Sequence, residues 1–207
     1  MVDWRLHVLI DPRQVPYTHL AVFCKEVAQG GATVIQLRGK DSTARDLMDY
    51  GTSLRHLTRQ YGLLLITNDR VDLALALDAD GVHVGQDDIP ISSVRRIAPR
   101  LLVGASAGTI EELSASIQDG PPDYWGIGPV YSTRSKGNAG PALGITQFSL
   151  LCQMAQRVAP VVAIGGISGA NAFHVWQSGA DGIAVISAVA MASQPGDACR
   201  EILAGRH

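Results

Sequence analysis

Cysteine is scarce and scattered. Cys24, Cys152 and Cys199 are an odd number, far apart, with no C-x-x-C pair, so the simplest expectation is reduced thiols on core or helix faces of a cytosolic (cytoplasmic) protein. Charge of one sign is also lacking: 17 Lys and Arg against 19 Asp and Glu leave a net charge of −2. That argues against nucleic acid or an anionic membrane as the main partner, so any positive charge that matters is local. No apolar run reaches membrane-spanning length, and the opening MVDWRLHVLIDPR carries an early carboxylate and no apolar h-region, so neither a membrane span nor a signal peptide is expected. His7, His19, His56, His174 and His207 show no metal-ligand spacing. No Ser/His/Asp arrangement is visible, so no covalent nucleophile is indicated. Aromatic residues make up only 5% of the chain while glycine numbers 22, a balance that suits an α/β protein with many tight turns.

What is present is a series of short apolar runs. Eight of strand length occur at 6–10, 34–37, 63–67, 81–84, 102–105, 123–127, 161–164 and 182–185. They are continuous rather than alternating, as expected of strands covered on both faces. Helical spacing lies between them: Leu20, Phe23, Cys24 and Val27 form one apolar stripe, and Leu47, Tyr50, Leu54 and Leu57 another. Thr109-x-x-Glu112 reads as a capping box opening a helix to about Gln118, and Gly30, Gly120 and Gly179 fall where helices stop. Before every second strand the chain echoes itself: GGATVIQL, DADGVHVG, DGPPDYWGIG and SGADGIAV. Eight strand–helix units in 207 residues without a linker predict a single-domain (β/α)8 TIM barrel over 1–207. The competing open doubly wound sheet would carry a Gly-rich loop after the first strand, and LHVLIDP has none.

In such a barrel, chemistry gathers at the C-terminal strand ends. The stretch LLLITNDRVDLALALDADGVHVGQDD places Asp69 after strand three and Asp88 after strand four, on one face. Two such carboxylates make a seat for a hard divalent cation such as Mg2+, which fills its other positions with water and phosphate oxygens. Alternatively, each aspartate only caps the helix that follows. Arg38 and Lys40 after strand two, with Lys136 after strand six, put cations around the same rim. Cations and a carboxylate-held metal together suit a pyrophosphate leaving group, although a solvated loop lysine and arginine look the same in sequence.

A second anion site is read at Gly165-Gly166 after strand seven and at Ile186-Ser187, taken as the start of the last helix, where close backbone approach and free N–H groups would hold a phosphate. A tight turn needing positive φ would account for one of these glycines more easily than for both. Ser132, Thr133 and Ser135 sit in a Gly/Ala/Pro-rich loop that reads as a candidate lid. Gln36 and His83 lie along strands and could line a pocket for a heteroaromatic ring, but a strand histidine is more often a satisfied core residue. Two anion sites, one with a metal, suggest the joining of two phosphorylated small molecules, one losing pyrophosphate and the other held by its monophosphate.

The motifs GGATVIQLRGK, ITNDRVDLALALDADGVHVGQDD, VGASAGTIEEL, YWGIGPVYSTRSKG, VVAIGGI and SGADGIAVISAV, in this order and spacing over nearly the whole chain, resemble the thiamine phosphate synthase (thiamine-phosphate pyrophosphorylase) family. The resemblance implies a (β/α)8 transferase of thiamine biosynthesis. Such an enzyme couples a hydroxymethylpyrimidine pyrophosphate to a thiazole phosphate and releases pyrophosphate. It further implies Mg2+ at Asp69 and Asp88, and pyrophosphate contacts from Arg38, Lys40, Asn68 and Lys136. Gln36 and Ser106 would address the pyrimidine. Thr133 and Ser135 would lie near the thiazole, and Gly166 with Ile186-Ser187 would hold its phosphate. The implied mechanism is dissociative, with Lys136, Arg38 and Lys40 acting on the departing pyrophosphate. Partners are then small molecules, with self-association into a homo-oligomer left open.

The chain departs from the family pattern at a few positions. Gly39 stands where the family usually has an acidic residue, Ser135 where it has threonine, and Ala107-Gly108 where a histidine often precedes the threonine. The first strand ends in LIDPR rather than the commoner form. Gly39 is expected to leave the Arg38–Lys40 turn less constrained. The sister family of thiazole tautomerases tends to lose the acidic pair and to use that histidine, so it fits less well. A silent barrel that merely binds a monophosphate would not need Asp69, Asp88 and the cations.

Overall fold

The computed structural model describes residues 2–133 and 140–206. The strands are β1 (Leu6–Ile10), β2 (Val34–Leu37), β3 (Leu64–Asn68), β4 (Gly81–Val84), β5 (Leu102–Ala107), β6 (Tyr124–Ile127), β7 (Val161–Ile164) and β8 (Gly182–Val185). Each pairs in parallel with the next, and β8 pairs back with β1, closing the barrel. Five strands fall on the bounds predicted by the apolar runs. β3 begins and ends one residue later than expected, β5 is two residues longer, and β6 starts one residue late because Asp123 serves as a clamp below it.

The helices among the described residues are α1 (Leu20–Gln29), α2 (Ala44–Tyr61), α3 (Val71–Ala76), α4 (Ile91–Ile97), α5 (Ile110–Asp119), α6 (Gly144–Ala155), α7 (Ala172–Gln177), α8 (Ser187–Ala190) and α9 (Pro195–Ala204). Local chemistry explains their ends. Thr43 caps α2 by accepting the Asp46 N–H, and Gly62 closes it in the left-handed conformation at φ 69°. Thr109 caps α5 as its sequence predicts, but Glu112 completes the box one residue further back, accepting the N–H of Gly108 at 2.6 Å. The predicted stripe on α1 is buried in full, as are Leu47, Tyr50 and Leu54 on α2.

Adjacent residues of each strand face opposite ways, and the core divides accordingly. Val8, Ile10, Ile35, Leu65 and Val82 face the helices within the larger apolar cluster. Leu9, Val34, Ile66, Tyr124, Val162 and Ala184 fill the barrel interior, with Trp4 packed beneath them. Burying one such leucine or isoleucine contributes about 1.5–3 kcal/mol, so both clusters are needed to hold the ring.

The fourfold echo is a repeated clamp at the N-terminal end of the barrel. Asp80, Asp123 and Asp181 each precede an even strand, and each accepts through Oδ2 an N–H from the first two residues of the odd strand before it: Leu65 (2.7 Å), Val103 (2.7 Å) and Val161 (2.8 Å). Thr33 does the same for Leu6 at 3.3 Å. A side chain on or just after a helix backs each acid: Arg55 of α2 for Asp80, Arg95 of α4 for Asp123 and Gln156 at the end of α6 for Asp181.

Candidate active site

The register of β3 and β4 pairs Asn68 with His83, and the next residue, Asp69, donates its N–H to the His83 carbonyl at 2.8 Å. Asp69 is thereby fixed at φ 65°, an uncommon conformation for a side chain other than glycine. Asp88 follows β4, and its Oδ2 accepts the N–H of Gly85 at 2.7 Å. Both aspartates therefore lie beyond the C-terminal ends of neighbouring strands. Neither occupies the cap of the following helix: that position belongs to Arg70 for α3 and Pro90 for α4, and neither cap has a side-chain bond. Simple helix capping does not account for the pair.

β2 stops at Leu37, so Arg38 and Lys40 stand in the loop beyond it rather than on the strand. Lys40 shares a cleft of about 320 Å³ with Asn68, Asp69, Thr67 and Ser42. Gly39 lies at its wall, where an added Cβ would come within 2.5 Å of a Leu47 methyl. Among the described residues Arg38 and Lys40 form no ion pair, whereas nearby Arg13 is engaged by Asp11 and Asp41, and Arg70 by Asp72. Among the described residues the loop thus presents cationic groups that are not tied up in ion pairs.

Deeper in the mouth, four polar side chains from four strands form a chain of hydrogen bonds. Gln36 Nε2 lies 3.5 Å from the Tyr124 hydroxyl. That hydroxyl is 3.0 Å from His83 Nδ1, and His83 Nε2 is 2.9 Å from Ser106 Oγ. The Ser106 carbonyl also accepts from Gln86 Nε2 at 2.8 Å, tying the β4 loop to the end of β5. Burial pushes the Tyr124 phenol pKa far up, against the smaller opposing effect of Gln36, so it stays neutral and keeps its proton. His83 is thus a strand histidine with a hydrogen-bond partner on each ring nitrogen. Tyr124 escaped the sequence reading because YWGI reads simply as an apolar strand. The available signal was Gly104 and Gly126, inward-facing neighbours whose Cβ atoms would lie 2.5 Å from His83 Nδ1 and 2.8 Å from His83 Cε1.

On the other side of the mouth, Gly165 and Gly166 both have positive φ, 104° and 64°. Their Cβ atoms would meet Pro129 Cα at 2.5 Å and Ser132 O at 2.7 Å. The turn geometry thus calls for glycine at both positions, although from the sequence a turn accounts for one of them more easily than for two. The segment after β6 lies along β7, with Val130 N–H on the Ile164 carbonyl and Tyr131 N–H on that of Gly165, which brings Thr133 towards the same rim. Ser135 and Lys136, and most of the expected lid, lie outside the described residues. Ile186 and Ser187 open the four-residue α8, not the last helix; α9 follows it, started by Pro195 at its first position.

The thiamine monophosphate synthase family model matches residues 6–189. The chain belongs to that family. It is 44% identical over 205 residues to a thiamine-phosphate synthase of Chloroflexus aurantiacus, covering 99% of this chain and 93% of the relative. It is 46% identical over 190 residues to that of Methanospirillum hungatei, covering 91% and 90%. Among solved structures, the thiamine phosphate pyrophosphorylase of Pyrococcus furiosus superposes with a TM-score of 0.87 at 38% identity, covering 99% of this chain and 96% of that one. A member of the thiamine monophosphate synthase family is a transferase, and barrels of this kind carry their chemistry at the C-terminal strand ends. The donor set there is oxygen-rich. Among the described residues no cluster of three or more His, Cys, Asp or Glu side chains is close enough to cage a metal. The pair Asp69 and Asp88 at neighbouring strand ends is the kind of donor set Mg2+ takes, with one or two carboxylates and with substrate oxygens and water completing its shell.

Proposed function

We propose that the chain joins a hydroxymethylpyrimidine pyrophosphate to a thiazole phosphate, giving thiamine phosphate and pyrophosphate. The observation that carries this reading is the pair Asp69 and Asp88 on adjacent strand ends, neither capping a helix, beside a cleft shared by Lys40, Asn68 and Asp69. Mg2+ bound at the two carboxylates would supply charge neutralisation to the pyrophosphate. Arg38, Lys40 and Asn68 from this side, with Lys136 from the β6 loop, would orient that group and stabilise the charge growing on it.

Gln36 and Ser106 address the pyrimidine ring, and Thr133 and Ser135 the thiazole. Gly166 with Ile186-Ser187 holds the thiazole phosphate at the end where barrels commonly bind one, beside a short extra helix. The methylene C–O bond breaks with its electron pair leaving on pyrophosphate. The ring nitrogen lone pair of the thiazole then forms the C–N bond, and no general base is needed. Three free, buried thiols fit a reducing, cytoplasmic setting.

The test is the coupling reaction itself. With both substrates and Mg2+, the wild type forms thiamine phosphate and pyrophosphate in equal amounts. Asp69→Ala loses at least about a hundredfold in turnover, in line with removing a group that stabilises transition-state charge, while binding of the thiazole phosphate stays near wild type. Product formation independent of divalent metal, or turnover of a thiazole tautomer without any pyrimidine, would overturn the reading.

A further inference from the structure

We propose that Tyr124 is a positioning residue: its phenol hydrogen, donated to His83 Nδ1, holds the imidazole in the Nε2–H form and thereby sets the direction in which the Ser106 hydroxyl donates. This deepens the reading above and rests on it, since Ser106 and Gln36 are the groups given to the pyrimidine.

Tyr124 has one proton and two neighbours, His83 Nδ1 at 3.0 Å and the Gln36 amide at 3.5 Å. An imidazole nitrogen is the stronger acceptor and is also the closer, so the proton goes there. The amide then donates to the phenol oxygen. With Nδ1 accepting, neutral His83 carries its hydrogen on Nε2 and donates to Ser106 Oγ at 2.9 Å. Ser106 Oγ, accepting from His83, does not spend its own hydrogen there and keeps it to donate to a ring nitrogen in the mouth. In the other tautomer Ser106 would have to donate to His83 and would face the ring as an acceptor only.

The surroundings hold the arrangement in place. The Tyr124 ring packs on Trp4 and His7 at centroid distances of 4.5 and 5.0 Å, which fixes where its hydroxyl falls. Gly104 leaves the space in which Tyr124 and His83 meet: a Cβ there would stand 2.2 Å from Tyr124 Cζ and 2.5 Å from His83 Nδ1. A side chain at that position would push the two rings apart and break the bond that selects the tautomer.

The experiment is 15N spectroscopy of histidine-labelled protein, with the His83 signals assigned by their loss in His83→Gln, alongside steady-state kinetics of Tyr124→Phe. Wild-type His83 shows a protonated Nε2 and an unprotonated Nδ1. In Tyr124→Phe, which keeps the ring and its packing, the two nitrogens move towards averaged shifts as both tautomers populate. KM for the pyrimidine substrate rises about tenfold, the scale of one hydrogen bond, while KM for the thiazole phosphate is unchanged. A wild-type spectrum showing Nδ1–H, or a variant spectrum identical to wild type, overturns the proposal. The wild-type spectrum decides even where the variant fails to fold. The nitrogen shifts also stand apart from the coupling assay, so a failure of the substrate assignment is told from a failure of the tautomer assignment.

Discussion

Asp80→Ala tests the clamp at the foot of the barrel. The Asp80 carboxylate takes the N–H of Leu65 at 2.7 Å and receives the Arg55 fork at 2.7 and 3.1 Å. Leu65 is fully buried, so its amide would be left without a partner, a cost of about 1–3 kcal/mol. Arg55 is only 13% exposed and Asp80 26%. Losing this shielded fork adds about 1–2 kcal/mol, above the range of an exposed pair and below that of a fully buried one. The expected loss is about 3–4 kcal/mol, or roughly 1–1.5 M in the urea midpoint at an ordinary slope for a chain of this size. Asp123→Ala is the internal control: Asp123 takes the Val103 N–H in the same way but meets Arg95 through a single nitrogen, and Arg95 and Asp123 are 35% and 33% exposed, so about 2 kcal/mol is expected. Combining Asp80→Ala with Arg55→Met should recover about 1–2 kcal/mol as coupling. An Asp80→Ala loss under about 1 kcal/mol, or one no larger than that of Asp123→Ala, would refute the claim that these acids close the strand ends. Turnover should not change, because the clamp lies at the end of the barrel opposite the mouth.

Two further outcomes follow from the interior and the rim. Burial, with a smaller contribution from nearby His83, pulls the His7 pKa down to about 3, and its Nε2 has no hydrogen-bond partner among the described residues. The unfolded chain therefore binds a proton that the folded one refuses. Stability from this site is complete above pH 6.5 and falls by about 1.4 kcal/mol per unit as pH drops towards 3; His7→Phe should flatten that acid limb in denaturation curves taken at successive pH values, and an unchanged limb would count against it. At the foot, where α2 turns into β3, Gly62→Ala meets only its left-handed φ of 69° with open space around it, and should cost about 1 kcal/mol. Gly165→Ala adds a contact of 2.5 Å with the Pro129 backbone and should cost at least about 2 kcal/mol more by urea denaturation; equal losses would show that close approach at this turn is unimportant.

Much of the barrel was legible because both faces of each strand are covered, which leaves continuous apolar runs, and because glycines and capping threonines mark the helix ends. The echo before alternate strands was visible too, but its meaning was not. It became a clamp only when the backbone showed Asp80, Asp123 and Asp181 reaching across to the start of the previous odd strand. The break between α8 and α9 could have been read from Pro195, a residue that favours a helix start. Sequence does not report φ, so the demand of the turn for glycine at both Gly165 and Gly166 was not legible beside the phosphate reading.

The mouth was legible only in part because its decisive contacts join strands distant in sequence. Gln36, His83, Ser106 and Tyr124 come from β2, β4, β5 and β6, and none of their spacings is distinctive. Their association depends on inward parity, which closure of the ring fixes, and on two glycines that make room for the rings. Charge shows the same limit. The near-neutral total hides a division in which Arg55 and Arg95 are committed to structural acids at the foot, while Arg38 and Lys40 stand at the mouth without acidic partners among the described residues. A charge count treats these arginines alike. Their partners tell them apart: substituting Arg55 should show up in stability, and substituting Arg38 in catalysis.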